Sequence, residues 1–159
     1  MFRDRRDAAE QLGQALEKYR NSNPLVLGIP RGGAETAYYV AKHLNAEMSV
    51  VVTRKLAYPS DPEFAFGAIA EDDSLYLSDH ASTKLSQEEM NHVINSQKEE
   101  IKRRIKLLRN GEDLPNLKGR TVILVDDGIA TGSTLFASIM LCQNKGASRL
   151  IVASPIAGE

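Results

Sequence analysis

Tryptophan is absent from this 159-residue sequence, and cysteine occurs once. A single cysteine excludes an internal disulfide, and Cys142 lies among apolar residues of a predicted helix, which favours a buried thiol over a nucleophile. No apolar run approaches the ~20 residues that a membrane-spanning helix needs. The first residues, MFRDRRDAAEQLG, lack the apolar core of a signal peptide. We therefore expect a soluble, cytoplasmic protein with no membrane partner.

The sequence also lacks an excess of either charge, because it contains 20 Lys and Arg residues and 21 Asp and Glu residues. Without a basic or acidic tail, the charge provides no argument for a nucleic-acid partner, and we expect no DNA binding. The length predicts one domain over residues 1–159 that can bury roughly 70% of its unfolded surface. Within it we expect an N-terminal helical segment over residues 1–24 and a core over residues 25–155.

Two nucleotide-binding motifs are missing as well. The sequence has no G-x-x-x-x-G-K-[ST] string, which excludes a P-loop triphosphatase, and no G-x-G-x-x-G string, which argues against a dinucleotide site. A receiver domain is a further alternative, because it also has adjacent acids at the end of a strand. It is disfavoured here, since its acid pair lies near the amino terminus and no turn of small residues follows that pair.

The most informative stretch that is present runs from Thr121 to Thr134, TVILVDDGIATGST. Its first five residues are apolar or β-branched without alternation, as in a strand buried on both faces of a parallel sheet. Asp126 and Asp127 follow at the carboxyl end, and an amphipathic helix is predicted from Leu135 to Leu141. Between them lie small residues rich in hydroxyls: Gly128, Ile129, Ala130, Thr131, Gly132, Ser133 and Thr134.

This arrangement suits a sugar phosphate. Backbone N–H groups at a helix start form an anion site, and Gly128 and Gly132 let the main chain approach a phosphate. The hydroxyl side chains of this turn can donate to phosphate oxygens. Because like charges repel, the two carboxylates suit neighbouring ribose hydroxyls, or water on a magnesium ion, rather than the phosphate itself.

The run Val-Asp-Asp-Gly-Ile-Ala-Thr-Gly-Ser-Thr resembles the phosphoribosyl-pyrophosphate (PRPP) motif of type I phosphoribosyltransferases. The resemblance implies that Asp126 and Asp127 bind the ribose hydroxyls and, directly or through water, Mg²⁺. It implies that Ala130 to Thr134 hold the 5′-phosphate. The implied reaction replaces the pyrophosphate of PRPP with a nitrogenous base, in nucleotide and nucleoside metabolism. We hypothesise catalytic roles for Asp126, Asp127 and Arg54.

A second strand and glycine turn precedes this motif. Leu25 to Ile29 predicts a short buried strand, followed by Pro30-Arg31-Gly32-Gly33 and a helix that buries one apolar side. By the same resemblance, Gly28 to Gly33 matches the pyrophosphate-binding loop, with Arg31, Gly32 and Gly33 as PRPP-binding residues. Family members often carry a non-proline cis peptide in this loop, and we expect it between Arg31 and Gly32.

The apolar run Met48 to Thr53 predicts a third buried strand, with Arg54 and Lys55 at its carboxyl end. Cations at the mouth of a parallel sheet suit a polyanion, although an ordinary pair of solvated charges fits the sequence nearly as well. The resemblance implies that Arg54 and Lys55 lie near the pyrophosphate. Arg3, Arg5 and Arg6 at the predicted first helix could reach a phosphate or a partner, but we favour their interpretation as a solvated charged face.

The segment of about residues 56–78 predicts a β-hairpin. Turn residues from Tyr58 to Pro62 precede the alternating arm Phe64 to Ala70, and Ser74 to Ser78 forms the other arm. The resemblance implies a flexible loop that closes over the reacting centre. Glu71, in this segment, has no assigned role. A long helix then begins after Ser86, which forms a capping-box pattern with Glu89, and Asn110-Gly111 ends it.

Four strongly apolar strands alternate with helices, the last ending near Ala153. This pattern predicts an α/β fold with a doubly wound, mostly parallel sheet flanked by helices.

Two departures from the family pattern bear on the acceptor. Hypoxanthine-type members carry an acid at the position of Ala130, whereas this chain has alanine there, as adenine-type members do. Acid–base help must therefore come from elsewhere or be absent. The resemblance ends near Pro155, and we expect the usual carboxyl-terminal segment, which contains part of the base-recognising region, to be missing. Either the sequence is a piece of a longer protein, or the base site is built otherwise.

A non-catalytic PRPP or nucleotide sensor is therefore the alternative to an enzyme. The sequence does not identify the base. It also leaves the oligomeric state open, although the resemblance allows a homodimer.

Overall fold

The computed structural model describes residues 2–128 and 132–155. Its contacts divide the chain into two units. The core unit comprises Met1–Val51, Leu114–Thr131 and Cys142–Glu159, and the hairpin unit comprises Val52–Asp113 and Gly132–Leu141. Along the described residues the helices and strands follow in this order: α1 (Arg5–Ala15), β1 (Leu25–Gly28), α2 (Gly32–Leu44), β2 (Glu47–Val50), β3 (Thr53–Tyr58), β4 (Asp61–Ala70), β5 (Leu75–Leu77), α3 (Ala81–Lys84), α4 (Gln87–Arg109), β6 (Thr121–Val125), α5 (Ser133–Asn144) and β7 (Arg149–Ala153).

The core unit is built on a parallel sheet with strand order β2-β1-β6-β7. The central strands β1 and β6 are buried over almost their whole length, as their unbroken apolar sequences predict. Helix α2 packs its buried side chains, among them Val40 and Leu44, against Val26 and Ile123 of these strands. The predicted α/β class with a mostly parallel sheet is therefore confirmed.

The predicted third strand differs from the structure. Strand β2 ends at Val50, and its residues are exposed or half-buried because it forms an edge of the sheet. The buried residues Val51 and Val52 lie between β2 and β3. Arg54 and Lys55 lie inside β3 rather than after the parallel strand. The prediction was wrong because Val51 and Val52 continue the strand pattern beyond Val50, and no turn residue separates β2 from β3.

The hairpin unit contains an antiparallel sheet with strand order β3-β4-β5. The predicted pairing of the arm ending at Ala70 with the arm beginning near Leu75 is confirmed. Strand β3 adds a pairing that the sequence did not indicate. Met90 and Ile101 of α4 pack with Leu56 and Phe66 of this sheet in one buried cluster. Across residues 2–128 and 132–155, every helix is too short or too polar to cross a bilayer.

Helix α4 begins as the sequence predicts. The Ser86 hydroxyl accepts the N–H of Glu89 at 3.1 Å, and the Glu89 carboxylate accepts the N–H of Ser86 at 3.0 Å. At the other end, Asn110 caps the helix with φ 53°, in the left-handed region. These reciprocal bonds satisfy N–H groups that have no partner within the helix.

We expect Ser86→Ala to lower the free energy of unfolding by about 1 kcal/mol, because an N-cap hydrogen bond is lost. Urea unfolding followed by circular dichroism measures this difference. Ser96→Ala is the matched control, since Ser96 is exposed in the middle of the same helix and alanine is the better helix former there. Equal losses for both variants would contradict a specific capping role.

Candidate functional site

The candidate site begins where the central strands β1 and β6 end side by side. Gly28 pairs with Val125 in the parallel register. The next residue, Ile29, donates its N–H to the Val125 carbonyl at 2.9 Å. The turn after β1 and the acid pair after β6 therefore leave the same edge of the sheet, where parallel sheets bind their ligands.

Two glycines bring these turns into direct contact. A Cβ on Gly33 would lie 2.8 Å from the Val125 carbonyl oxygen and 3.1 Å from Asp126 Cα. A Cβ on Gly32 would collide with the carboxyl group of Asp127. The structure thus brings together four predicted site residues, Gly32, Gly33, Asp126 and Asp127, and the close approach requires glycine at both turn positions.

The non-proline cis peptide bond joins Pro30 to Arg31. Our prediction placed it between Arg31 and Gly32 and was wrong by one bond. Helix α2 already begins at Gly32, so the turn proper is Ile29 to Arg31. Arg31 precedes the helix with its side chain exposed. A proline followed two residues later by a glycine pair indicates a turn here, but does not indicate which bond is cis.

Asp126 has an unusual environment for a carboxylate. Burial raises its pKa from 3.8 to about 6, and its neighbour Asp127 contributes a hydrogen bond and a like charge in the same direction. The backbone N–H of Asp127 donates to Asp126 Oδ1 at 2.9 Å and opposes the shift. Asp126 is therefore a carboxylate that a bound cation or hydroxyl donor would stabilise in its charged form.

This shift predicts how stability depends on pH. Between pH values near 4 and 6 the folded protein binds a proton at Asp126 more readily than the unfolded chain does. The contribution of Asp126 to the free energy of unfolding therefore falls as the pH rises through this window. We expect Asp126→Asn to gain stability over the wild type on going from pH 4.5 to pH 7, as measured by urea unfolding. If the free energies of unfolding of the two proteins changed in parallel with pH, the assigned burial of the Asp126 carboxyl would be contradicted.

Asp127 has a cationic neighbour that sequence reasoning missed. One Arg5 nitrogen, Nη2, lies 3.5 Å from Asp127 Oδ2, and Nη1 donates to Glu35 Oε2 at 3.0 Å. We interpreted Arg5 as part of a solvated face, and its side chain is half-exposed. Because Arg5 and Asp127 are distant in sequence, no local pattern indicates this pair.

The turn predicted to bind the phosphate, residues 128–134, is described only in part. Ile129, Ala130 and Thr131, three of the predicted phosphate-binding residues, lie outside the described residues, whereas Gly128 before them is exposed. Gly132 has φ 80°, a left-handed conformation that side chains rarely adopt. Ser133 and Thr134 open α5 and are half-buried. The predicted helix start after the small-residue turn is therefore confirmed.

The predicted cations Arg54 and Lys55 belong to the hairpin unit. Arg54 Nε donates to Gln97 Oε1 of α4 at 2.8 Å, and burial, followed by the positive charge of Arg104, lowers the pKa of Arg54. Lys55 Nζ donates to the Glu63 carbonyl at 3.0 Å. Their role at a pyrophosphate stays a prediction.

Comparisons with known proteins identify the family to which this chain belongs. The family model for the phosphoribosyl transferase domain matches residues 2–159. Two strains of Mycobacterium tuberculosis contain a protein provisionally named a phosphoribosyl transferase, 43% identical over 98% of this chain. The match covers 36% of each relative, so the chain spans about a third of their length.

Solved structures show the same fold. The protein TT1426 of Thermus thermophilus superposes with a TM-score of 0.80 at 38% identity, covering 98% of this chain and 75% of TT1426. A purine phosphoribosyltransferase of Pyrococcus horikoshii gives a TM-score of 0.55 at 18% identity, over 92% of this chain and 68% of its own. A hypoxanthine phosphoribosyltransferase of Staphylococcus aureus gives a TM-score of 0.58 at 14% identity, covering 94% of this chain and 61% of its own. At such low identity the last two show the fold alone.

Proposed function

Because the chain belongs to the phosphoribosyl transferase domain family, we propose that it transfers the 5-phosphoribosyl group of PRPP to a nitrogenous base and releases pyrophosphate. One observation carries the proposal: the acid pair Asp126–Asp127 lies directly against Gly32 and Gly33, the first residues of α2, at the ends of β1 and β6. A diol-binding carboxylate pair beside a glycine turn suits a ribose that carries pyrophosphate on its anomeric carbon.

In this proposal the two carboxylates accept hydrogen bonds from the ribose hydroxyls. The backbone N–H groups that follow them, up to Thr134 at the start of α5, bind the 5′-phosphate. The segment from Pro30 to Gly33 binds the pyrophosphate. Because bond cleavage at the anomeric carbon leaves a cationic sugar, the main contribution of these groups is orientation and charge complementarity.

Magnesium fits the donor set of this site. Within residues 2–128 and 132–155, no group of three or more Asp, Glu, His or Cys side chains could hold a metal ion. Mg²⁺ commonly binds through one or two carboxylates together with substrate phosphates and water, which is what Asp126 and Asp127 beside a pyrophosphate would supply. When bound, Mg²⁺ neutralises charge on the departing pyrophosphate. Asp126, with its raised pKa, would ionise more readily beside such a cation.

A pyrophosphate-release assay tests the proposal. PRPP, MgCl₂ and the protein are mixed with a panel of purines, pyrimidines and orotate, and PRPP binding is measured separately by calorimetry. Release that depends on one base supports the proposal. Binding without release for every base supports the non-catalytic PRPP sensor instead. Absence of PRPP binding would contradict both.

The contact between Gly32 and Asp127 leads to a sharper prediction. We expect Gly32→Ala to weaken PRPP binding about tenfold or more, because the new methyl group occupies the position of the Asp127 carboxyl. Calorimetry with MgCl₂ measures the loss.

The control is a double-mutant cycle on an Asp127→Ala background. Gly32→Ala should have much less effect there, since the colliding carboxyl group is gone. Equal effects in both backgrounds would show that Gly32 acts independently of Asp127.

A further inference from the structure

A cavity of about 350 Å³ in the core unit lies against Asp127, the second acid of the pair. Its lining includes Phe2, Arg5, Ala8, Thr36, Asp127 and Pro155. We propose that this cavity binds the acceptor, and that Arg5 selects a planar nitrogen heterocycle presenting a carbonyl or carboxylate oxygen. The inference rests on the proposed function and assigns acceptor recognition to the amino-terminal segment, rather than to the hairpin or a later segment.

Position is the first argument. The anomeric carbon of PRPP is bonded to the carbon whose hydroxyl the acid pair would bind. The attacking nitrogen must come within about 3–3.5 Å of that anomeric carbon. The acceptor must therefore lie beside Asp127, and the side chain of Asp127 forms one wall of this cavity.

Shape is the second argument. Phe2, Ala8 and Pro155 supply apolar surface, and an aromatic wall suits the face of a flat ring. The volume lies at the lower end of the range of roughly 300–1,000 Å³ found for small-molecule sites. A one- or two-ring base needs no larger site.

The polar lining determines which ring substituents fit. Arg5 has five N–H donors and no acceptor, more than its contacts with Glu35 and Asp127 use. Its side chain is 51% exposed, which leaves it accessible to a ligand. The Glu35 contact orients the guanidinium. The acid Asp4 also lines the cavity, but its Oδ1 accepts the N–H of Asp7 at 2.8 Å as the cap of α1.

Because the Arg5 guanidinium can only donate hydrogen bonds, it favours a base with an exocyclic oxygen over one with an exocyclic amino group. Thr36 is fully buried and its hydroxyl already donates to the Gly32 carbonyl at 3.2 Å, so it offers a ligand no donor. Ala130, by its resemblance to adenine-type members, suggests the opposite preference. Hypoxanthine and adenine therefore form a decisive pair of probes.

The first test compares these two bases in pyrophosphate release with wild type, Arg5→Gln and Phe2→Ala. We expect hypoxanthine to be used in preference to adenine. Arg5→Gln should raise the hypoxanthine KM about tenfold or more while leaving that for adenine nearly unchanged, because a charged donor is lost. Phe2→Ala should raise the KM for both bases and leave the KM for PRPP within about twofold.

Arg6→Gln is the matched control. Arg6 is the next residue of α1, but it pairs with Glu10 at 2.9 Å and lies over the Tyr39 ring, among groups that do not line this cavity. Equal effects of Arg5→Gln and Arg6→Gln would overturn the proposal. A preference for adenine, or an effect of Arg5→Gln on PRPP alone, would also overturn it.

A binding experiment separates failure of this inference from failure of the proposed function. Hypoxanthine is titrated into the ¹⁵N-labelled chain with PRPP and MgCl₂, and backbone amide shifts are followed by NMR. Shifts concentrated at Phe2 to Ala8, Thr36 and Asp127, and reduced in Arg5→Gln, support the pocket even when no pyrophosphate is released. Shifts confined to other residues, or no shifts, overturn it.

Discussion

Replacing both acids, Asp126→Asn together with Asp127→Asn, should weaken PRPP binding by at least about 100-fold in the presence of MgCl₂. Hydrogen bonds to a charged group contribute roughly 1.5–3 kcal/mol each, and the pair would lose its charge toward both ribose hydroxyls and metal. The amide side chains keep nearly the same shape, so the Gly32 contact should persist. Calorimetry measures the loss of binding, and pyrophosphate release should fall in parallel.

A second pair of adjacent acids provides the control. Asp72 and Asp73 lie in the turn between β4 and β5, where Asp72 Oδ1 accepts the N–H of Ser74 at 2.9 Å. Asp73 has φ 69°, a conformation that asparagine tolerates. The change Asp72→Asn with Asp73→Asn removes the same charge and should leave PRPP binding unchanged. Unchanged binding in the Asp126/Asp127 variant would contradict the proposed site.

The largest loss of stability is expected for Glu71→Ala in the hairpin unit. Arg109 donates to both oxygens of Glu71, at 3.0 and 2.5 Å, and the two side chains are only 7% and 8% exposed. The N–H of Val52 also donates to Glu71 Oε2 at 2.7 Å. Removing one partner leaves a buried guanidinium without its carboxylate, which costs about 3–5 kcal/mol. Urea unfolding measures the change.

Two further variants distinguish this loss from a general surface effect. Glu100→Ala removes contacts with two arginines, Arg103 and Arg104, on a more exposed face of α4, so we expect little change in stability. The double variant Glu71→Leu with Arg109→Met should recover much of the lost stability, because a buried ion pair can be replaced by apolar packing. A small effect of Glu71→Ala alone would contradict the structural role assigned to the pair.

Local sequence signals predicted the elements whose causes are local. The unbroken apolar run of Thr121 to Val125 became β6 at the predicted residues. Ser86 and Glu89 formed the predicted capping box, since both partners lie within one helical turn. Gly132 adopts the left-handed conformation expected of a glycine in a phosphate turn. Each of these outcomes depends on residues only a few positions apart.

The incorrect predictions concern boundaries and single bonds. The end of β2 at Val50 could not be predicted, because Val51 and Val52 continue the apolar pattern while the sheet pairing changes. The cis bond at Pro30–Arg31 lies one position from the predicted one. Periodicity carries no information about either.

The sequence by itself determined the fold class, the strand that carries the acid pair and the family to which the chain belongs. Tertiary structure alone decided that Gly32 lies against Asp127, that Arg5 pairs with Asp127, and that Glu71 is buried against Arg109. The physical reason is the separation along the sequence over which each kind of interaction acts. Hydrophobic periodicity and capping act between neighbours along the chain. Contacts among side chains distant in sequence exist only after sheet and helices have formed, and only then are their distances and desolvation defined.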